Sequence, residues 1–182
     1  MSACTNTVFI GLINPKSPSN VGSVMRAAGC YQADSVFYTG KRYARAAKFS
    51  TDTKDILTKI PLVHSENLFN IKTANMRIVC VDLVEGATPL PEYKHPKHAL
   101  YIFGPEDGSI DQSIIDQADD IVYVPTIGCM NLAASANVVL YDRLAKMPTL
   151  EVSGDELIKK SRDTNNKTKV KVFIGIIKKP EQ

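Results

Sequence analysis

Tryptophan is absent from this chain of 182 residues, and histidine and cysteine are scarce, with three and four residues. The cysteines stand singly without a CxxC spacing, and the first residues, MSACTNTVF, lack the basic and apolar regions of a secretory signal. We therefore expect reduced thiols in a cytoplasmic protein and no disulfide framework. Because histidines and cysteines do not combine at metal-ligand spacing, we expect no metal site.

Long apolar runs are also missing, and none approaches the roughly 20 residues that a membrane-spanning helix needs. We therefore expect no membrane partner. The hydrophobic content of 44% and the charged content of 23% are ordinary for a globular chain, and the length suits one domain with an appended segment. The net charge of +3 permits an anionic partner but does not by itself predict one.

Short apolar runs alternate with helical patterns over most of the chain. We expect strands at residues 8–13, 35–40, 60–64, 77–83, 99–104 and 120–125, and helices at 20–31, 51–59, 65–72, 109–118 and 131–147. Ser65 is the expected N-cap of the third helix. Alternation at this spacing predicts an α/β fold, a Rossmann-like core whose parallel sheet is covered by helices on both faces.

The composition changes after Pro148. We expect an α/β domain over residues 1–150 and a basic C-terminal extension over residues 151–182. Within the extension, RDTNNKTK has the composition of a mobile segment or a long hairpin loop, and KVFIGIIKK is typical of one further strand.

Three stretches at strand ends carry side chains suited to chemistry. NPKSPSNVGSVMR follows the first strand, GPEDGS the fifth and PTIGCMNLAAS the sixth. In sheets of this kind, ligands bind beyond the carboxyl ends of the strands. Each stretch places Gly or Pro beside hydrogen-bonding side chains, which are Asn20 and Arg26, Glu106, and Asn131.

The first stretch supports two interpretations. The apolar side of its predicted helix, which should face the core, consists of Val21, Val24, Met25 and Ala28. Gly22, Arg26 and Gly29 share another side, where a ligand can approach the backbone beside a guanidinium group. In the simpler interpretation Asn20 caps the helix and Arg26 is a solvated surface charge.

The other two stretches also allow a purely structural interpretation. Glu106 and Asp107 suit the N-terminus of the helix that follows them, and Asn131 suits a helix cap. In the functional interpretation, Gly104 admits a ligand to the backbone and Glu106 serves as an acceptor or base. The small residues at 133–136 indicate close packing by a neighbouring loop or a second subunit.

Together, SPSNVGSVMRAAGCY, YIFGPEDGSI and VYVPTIGCMNLAASANVVLYDRLA resemble the three signature motifs of the SpoU (TrmH-like) branch of the SPOUT RNA methyltransferases. Their order, their spacing and the strand before each one match over about residues 7–147. The resemblance implies a deep trefoil knot in the C-terminal part of the core, S-adenosylmethionine as cofactor, and homodimers whose active site takes residues from both subunits. It also implies methyl transfer to a ribose 2′-hydroxyl of transfer or ribosomal RNA.

The resemblance implies a role for each matched residue. A ribose hydroxyl is a poor nucleophile at neutral pH and needs a base or an environment that stabilises its alkoxide. Arg26 is expected to stabilise that charge, because arginine almost never loses its proton. Asn20 and Glu106 are expected to position groups, with Glu106 alternatively accepting the proton through water, and Asn131 is expected in the pocket. The residues expected around the cofactor are Leu83, Gly104, Val124, Cys129 and Leu132.

The third motif departs from the family pattern. Family members commonly have Ser-Leu-Asn, after a longer loop, where residues 129–131 of this chain read Cys-Met-Asn. The thiol of Cys129 forms weaker hydrogen bonds than a hydroxyl, so Cys129 either serves the pocket less polarly or is a buried small residue.

A basic cluster follows the second strand. It consists of Lys41, Arg42, Arg45 and Lys48, with Tyr38 and Tyr43 nearby. This composition suits RNA phosphate contacts and base stacking, and a solvated basic face is the alternative. The segment GATPLPEY, after the fourth strand, is expected to be a proline-stiffened surface loop, with a loop facing the cleft as the alternative.

The leading hypothesis is an S-adenosylmethionine-dependent RNA ribose 2′-O-methyltransferase. The alternative is an RNA-binding relative that has lost catalysis, which the shortened third motif suggests. A methyltransferase that acts on a base is less favoured, since these motifs resemble the ribose-modifying branch.

Overall fold

The computed structural model describes residues 6–47, 60–147 and 154–170. The chain divides into two units, Met1–Pro148 and Thr149–Gln182. The first unit contains a sheet of seven strands: β1 (Thr7–Leu12), β2 (Ser35–Tyr38), β3 (Leu62–His64), β4 (Arg77–Val81), β5 (Thr88–Pro89), β6 (His98–Phe103) and β7 (Asp120–Tyr123). Every pairing between them is parallel, so the predicted α/β fold with a parallel sheet is confirmed.

The strand order is β3-β2-β1-β6-β4-β7-β5, and the order in which the chain adds strands to the sheet reverses beside β1. From β1 the chain moves outward through β2 and β3, then crosses so that β6 and β4 lie on the other side of β1. Open α/β sheets bind ligands at such a point, beyond the carboxyl ends of the strands. Leu12 pairs with Phe103, so the loops that begin after β1 and β6 lie side by side. The trefoil knot stays a prediction, because strand order alone does not define how a chain threads.

Both faces of the sheet are buried. The residues of β6 that face one hydrophobic cluster are Ala99, Tyr101 and Phe103, and those that face the other are Leu100 and Ile102. The first cluster contains the apolar sides of helices α1 (Pro18–Cys30) and α4 (Leu132–Lys146). The second contains residues of a 3-10 helix, Leu68–Ile71, and of the one-turn helix α3 (Gln112–Ile115).

Helix α1 begins two residues earlier than the sequence predicts. Ser17 is its N-cap and accepts a hydrogen bond from the backbone N–H of Asn20, and Pro18 takes the first helical position. Asn20 therefore lies inside the first turn, and its interpretation as the N-cap is wrong. The predicted apolar side is buried, whereas Gly22, Arg26 and Gly29 are exposed.

The short elements differ most from the predictions. Asn67, not Ser65, caps the 3-10 helix, because its side-chain oxygen accepts from the N–H of Phe69 at 2.8 Å. Helix α2 (Arg42–Ala47) lies where the sequence analysis predicts no helix. In the segment GATPLPEY, β5 pairs with β7 and Leu90 is buried, so its interpretation as a surface loop is wrong.

The second unit contains α5 (Asp155–Ser161), a helix that the sequence does not predict. Its acidic first turn and basic last turn both interact favourably with the helix dipole. The helix expected at residues 51–59 and the strand expected at residues 171–179 lie outside the described residues. None of the helices in the described ranges combines the length and the apolar character needed to cross a bilayer.

Candidate active site

A cavity of about 560 Å³ opens at the carboxyl ends of β4, β6 and β7. All five residues that the sequence places around a cofactor line it: Leu83, Gly104, Val124, Cys129 and Leu132. The wall also includes Phe103 and Met130 on its apolar side and the carboxylates of Asp82, Glu106 and Asp107. In the described part of the chain, no group of three or more His, Cys, Asp or Glu side chains is placed to hold a metal ion. The lining suits an organic ligand that is largely apolar and carries a positive charge.

Glu106 joins the first two motifs. Its Oε2 accepts from the backbone N–H of Lys16 at 2.8 Å, and its Oε1 accepts from the backbone N–H of Ser17 at 3.1 Å. The side chain of Asn20 donates from Nδ2 to the same Oε1 at 3.1 Å. The carboxylate therefore ties the loop after β1 and the first turn of α1 to the loop after β6.

Asn131 connects the third motif to this chain of hydrogen bonds. Its Nδ2 donates to Oδ1 of Asn20 at 3.0 Å. Its own Oδ1 accepts from the backbone N–H groups of Ala133 and Ala134, so it also caps α4. Asn131 is therefore the predicted cap of α4, but it is not among the residues that line the cavity and is connected to the site only through Asn20.

These donors also set the charge of Glu106. Burial opposes the charged form of this carboxyl, but the hydrogen bonds from Lys16, Asn20 and Ser17 outweigh burial and lower its pKa. A cation also lies close by, since Nη2 of Arg42 is 3.9 Å from Oε2 of Glu106. A carboxylate held in this way is a weak base.

Asp82 is not among the residues predicted from the sequence. It directly follows β4, and its two oxygens accept from the backbone N–H groups of Leu83 at 2.7 Å and Ile110 at 2.8 Å. The loop after β6 folds back tightly here, because a Cβ at Gly104 would lie 3.2 Å from a side-chain carbon of Ile110. Gly104 therefore serves the fold of the loop as well as the cavity wall. The position of Asp82 at a strand end is the signal that could have identified it.

The predicted RNA contacts differ in how they are paired, and Lys48 of the same cluster lies outside the described residues. Lys41 and Arg45 are exposed, but Nη1 of Arg42 is 2.9 Å from Oδ1 of Asp107. This hydrogen bond, with the neighbouring charges, lowers the pKa of Asp107. Tyr38 and Tyr43, which the sequence suggests for base stacking, instead pack edge to face on each other with ring centres 5.0 Å apart.

Arg26 lies apart from the hydrogen-bonded chain of Glu106, Asn20 and Asn131. It is exposed on α1 and does not line the cavity of its own chain. Its side chain takes part in no hydrogen bond or ion pair among the described residues. The structure thus brings three of the four predicted catalytic residues together and leaves the fourth on the helix surface.

The motifs that meet at this cavity match a known family, since residues 7–141 fit the SpoU rRNA Methylase family. The chain belongs to the SpoU rRNA methylase family. Its predicted relationship to the SpoU branch is therefore confirmed. No curated protein sequence matches the chain.

Solved structures of SpoU and related enzymes share its fold. The SpoU methyltransferase AviRb from Streptomyces viridochromogenes, in complex with AdoMet, aligns with a TM-score of 0.65 at 18% identity, covering 80% of this chain and 62% of AviRb. The TrmH/SpoU tRNA modifying enzyme of A. aeolicus aligns at 0.65 and 16%, covering 78% and 75%. A structure that concerns the 2-OH methylation of C/U34 on tRNA aligns at 0.68 and 18%, covering 80% and 93%. The chain thus spans less than two thirds of AviRb but nearly all of the last of these proteins.

Proposed function

We propose that this protein transfers the methyl group of S-adenosylmethionine to a ribose 2′-hydroxyl of transfer or ribosomal RNA, as a cytoplasmic homodimer. The observation that carries the proposal is the cavity at the carboxyl ends of β4, β6 and β7, where the second and third motifs form the wall and Glu106 ties in the first. Membership of the SpoU family and the AdoMet complex of AviRb support it.

The cavity fits this cofactor. Its volume lies within the range of about 300 to 1,000 Å³ that is common for small-molecule sites. Leu83, Val124 and Leu132 offer apolar surface for the adenine ring, and the carboxylate of Asp82 favours a ligand that carries positive charge. When bound, S-adenosylmethionine supplies a methyl group already activated on a sulfonium cation.

The residues of the chain then act mainly by positioning. Asn20 donates to Glu106 and accepts from Asn131, so its amide is fixed at both ends. Glu106 holds the loop after β1 through two backbone donors, and its lowered pKa makes it a poor proton acceptor. Holding the hydroxyl in line with the methyl group removes an entropic part of the barrier.

The proton of the attacking 2′-hydroxyl passes to solvent water, and Arg26 stabilises the negative charge that develops on the oxygen. Since it does not line the cavity of its own chain, we expect it to complete the site in the homodimer, in which residues from both subunits meet. An electrostatic group of this kind typically contributes a factor of about 10² to 10³ in rate. The RNA backbone reaches the site past Lys41, Arg42 and Arg45.

The experiment has two stages. Calorimetric titration with S-adenosylhomocysteine tests the cavity, and stoichiometric binding is expected. Methyl transfer from labelled S-adenosylmethionine to RNA, followed by nucleoside mapping, tests the chemistry, and a 2′-O-methyl nucleoside is expected. Arg26→Ala should lower the rate by about 10²-fold while S-adenosylhomocysteine binding and RNA binding stay within about twofold, with Arg26→Lys intermediate.

Three results would overturn parts of the proposal. A base-methylated nucleoside would refute ribose methylation. Absence of cofactor binding by folded, dimeric protein would favour the RNA-binding relative without catalysis. Full activity of Arg26→Ala would remove Arg26 from the site.

A further inference from the structure

Asp107 lies between two basic side chains at the edge of the cavity. Its Oδ1 is 2.9 Å from Nη1 of Arg42, and its Oδ2 is 3.7 Å from Nζ of Lys16. These residues, with Arg45 and Ala46, line a shallow groove of about 560 Å³. Because Asp107 also lines the cavity described above, the groove and the cavity adjoin each other there.

One hydrogen-bond donor of Arg42 has no acceptor within the part of the chain that the structure describes. Its Nη2 is buried and has no hydrogen-bond acceptor among the described residues, and the nearest carboxylate oxygen of Glu106 is 3.9 Å away. Buried donors are nearly always paired in native proteins, so an unpaired one marks a position where an acceptor is missing. A guanidinium group matches the oxygens of a phosphate at least as well as those of a carboxylate.

We propose that Asp107 is an internal competitor for RNA, whose carboxylate occupies the position between Lys16 and Arg42 that a phosphodiester of the substrate takes on binding. The ligand class rests on the proposed function. The position is consistent with that chemistry, because a phosphate held there lies beside Glu106 and Asn20, where the adjacent ribose is expected.

The charge of Asp107 persists at physiological pH, since the hydrogen bond from Arg42 lowers its pKa. RNA binding must therefore separate Asp107 from its two cations before those cations can neutralise phosphate. Removal of the carboxylate should strengthen RNA binding, because it frees the cations of the groove and leaves every one of them in place.

The test compares Asp107→Asn with the wild-type protein in the absence of cofactor. The probe is a fluorescein-labelled oligouridylate of about 12 nucleotides, and anisotropy is measured between about 50 and 200 mM salt. An exposed ion pair of this kind predicts binding about two- to fivefold tighter in the variant. Each cation released to a phosphate should steepen the slope of log K against log salt by about 0.7.

Asp111→Asn is the matched control for net charge. Asp111 is exposed, lies four residues further along the same loop, and its side chain makes no capping hydrogen bond. This control should change affinity by less than about 1.5-fold, because a separated surface charge is largely screened by salt. Asp107→Ala should act in the same direction as Asp107→Asn, which shows that the effect does not come from the new amide.

The proposal requires that the gain depend on the two cations. In a Lys16→Gln/Arg42→Gln background, Asp107→Asn should give no more tightening than Asp111→Asn does. Equal or weaker binding by Asp107→Asn, or the same gain without Lys16 and Arg42, overturns the proposal. If the protein binds S-adenosylhomocysteine and methylates RNA but Asp107→Asn binds RNA no more tightly than the wild type, only this inference fails. If Asp107→Asn binds RNA more tightly but the protein does not bind S-adenosylhomocysteine, only the proposed function is refuted.

Discussion

The substitution Asn20→Asp tests the chain of hydrogen bonds at the site most directly. It replaces the Nδ2 donor, 3.1 Å from Oε1 of Glu106, with a carboxylate oxygen of nearly the same shape. The contact from Asn131 is preserved, because either group accepts from its amide. The variant thus changes one hydrogen bond into a contact between two like charges.

The expected cost follows from this distance. Glu106 is 15% exposed, and two unit charges about 3 Å apart repel by about 5 kcal/mol at an effective dielectric constant of about 20. The folded variant avoids most of this repulsion by keeping one proton on the pair, whose pKa is raised. Because each pKa unit corresponds to about 1.4 kcal/mol, we expect a loss of about 2 to 4 kcal/mol in the free energy of unfolding near pH 7.

The sign of the pH dependence identifies the mechanism. In the wild-type protein the pKa of Glu106 is lowered, so its contribution to stability is present above the ordinary glutamate pKa and is lost as the pH falls. In Asn20→Asp the folded state binds the extra proton, so the cost of the substitution should shrink as the pH falls from 7 towards about 5.

Urea denaturation of both proteins across this pH range measures the effect. Asn20→Ala is the control, since it removes the donor without adding charge and should cost about 1 kcal/mol at every pH. Parallel pH profiles for Asn20→Asp and Asn20→Ala would refute the contact between Asn20 and Glu106.

Three further predictions concern the cavity wall and the core. Asp82→Ala should weaken S-adenosylhomocysteine binding about tenfold in calorimetry, because the N–H of Ile110 loses its acceptor, with Asp82→Asn intermediate. Iodoacetamide should alkylate the exposed Cys129 and lower the affinity for S-adenosylhomocysteine. Bound S-adenosylhomocysteine should slow this alkylation, and Cys129→Ser protein should keep its affinity for S-adenosylhomocysteine after treatment. Burial lowers the pKa of His95, which contacts Tyr101, so the unfolded state binds a proton on this side chain more readily than the folded state does. The free energy of unfolding should therefore fall below about pH 6.5, by at most about 1.4 kcal/mol per pH unit. This fall should be absent in His95→Gln.

The parallel sheet could be predicted because its signal is local. The strands β1, β4, β6 and β7 each contain a continuous apolar run after their first residue, as expected when both faces are buried. The bounds of β1 and β6 lie within one residue of the predicted ones. The caps were harder, since SPSN offers two serines and an asparagine within four residues. Pro18 decides between them, because it is favoured at the first helical position and so leaves Ser17 as the cap.

Elements that depend on distant partners could not be predicted in this way. The strand β5 is only two residues long and exists because Thr88 and Pro89 pair with β7. Tyr93, just beyond it, is buried and donates to Asp120, a residue 27 positions away. Nothing in the pattern of GATPLPEY indicates these contacts.

The contacts at the candidate site likewise include some that could be predicted from the sequence and some that could not. The proximity of Asn20, Glu106 and Asn131 could be predicted, because each follows a strand at the ligand-binding edge of the sheet and belongs to a recognisable motif. The partner of Arg42 could not, because Asp107 is 65 residues away and the short helix α2 has no strong sequence pattern.

Arg26 and Arg42 are residues of the same type that differ in their pairing, and we infer different roles for them from this difference. Nη1 of Arg42 is held by Asp107 at 2.9 Å, so this nitrogen must give up its partner before it can bind another anion. Arg26 has no partner among the described residues, and only water must leave before it meets a developing alkoxide. A charge–charge interaction gains strength when a closing site excludes water. This difference is why we expect Arg26 to act on the rate of methyl transfer and Arg42 to act on RNA affinity.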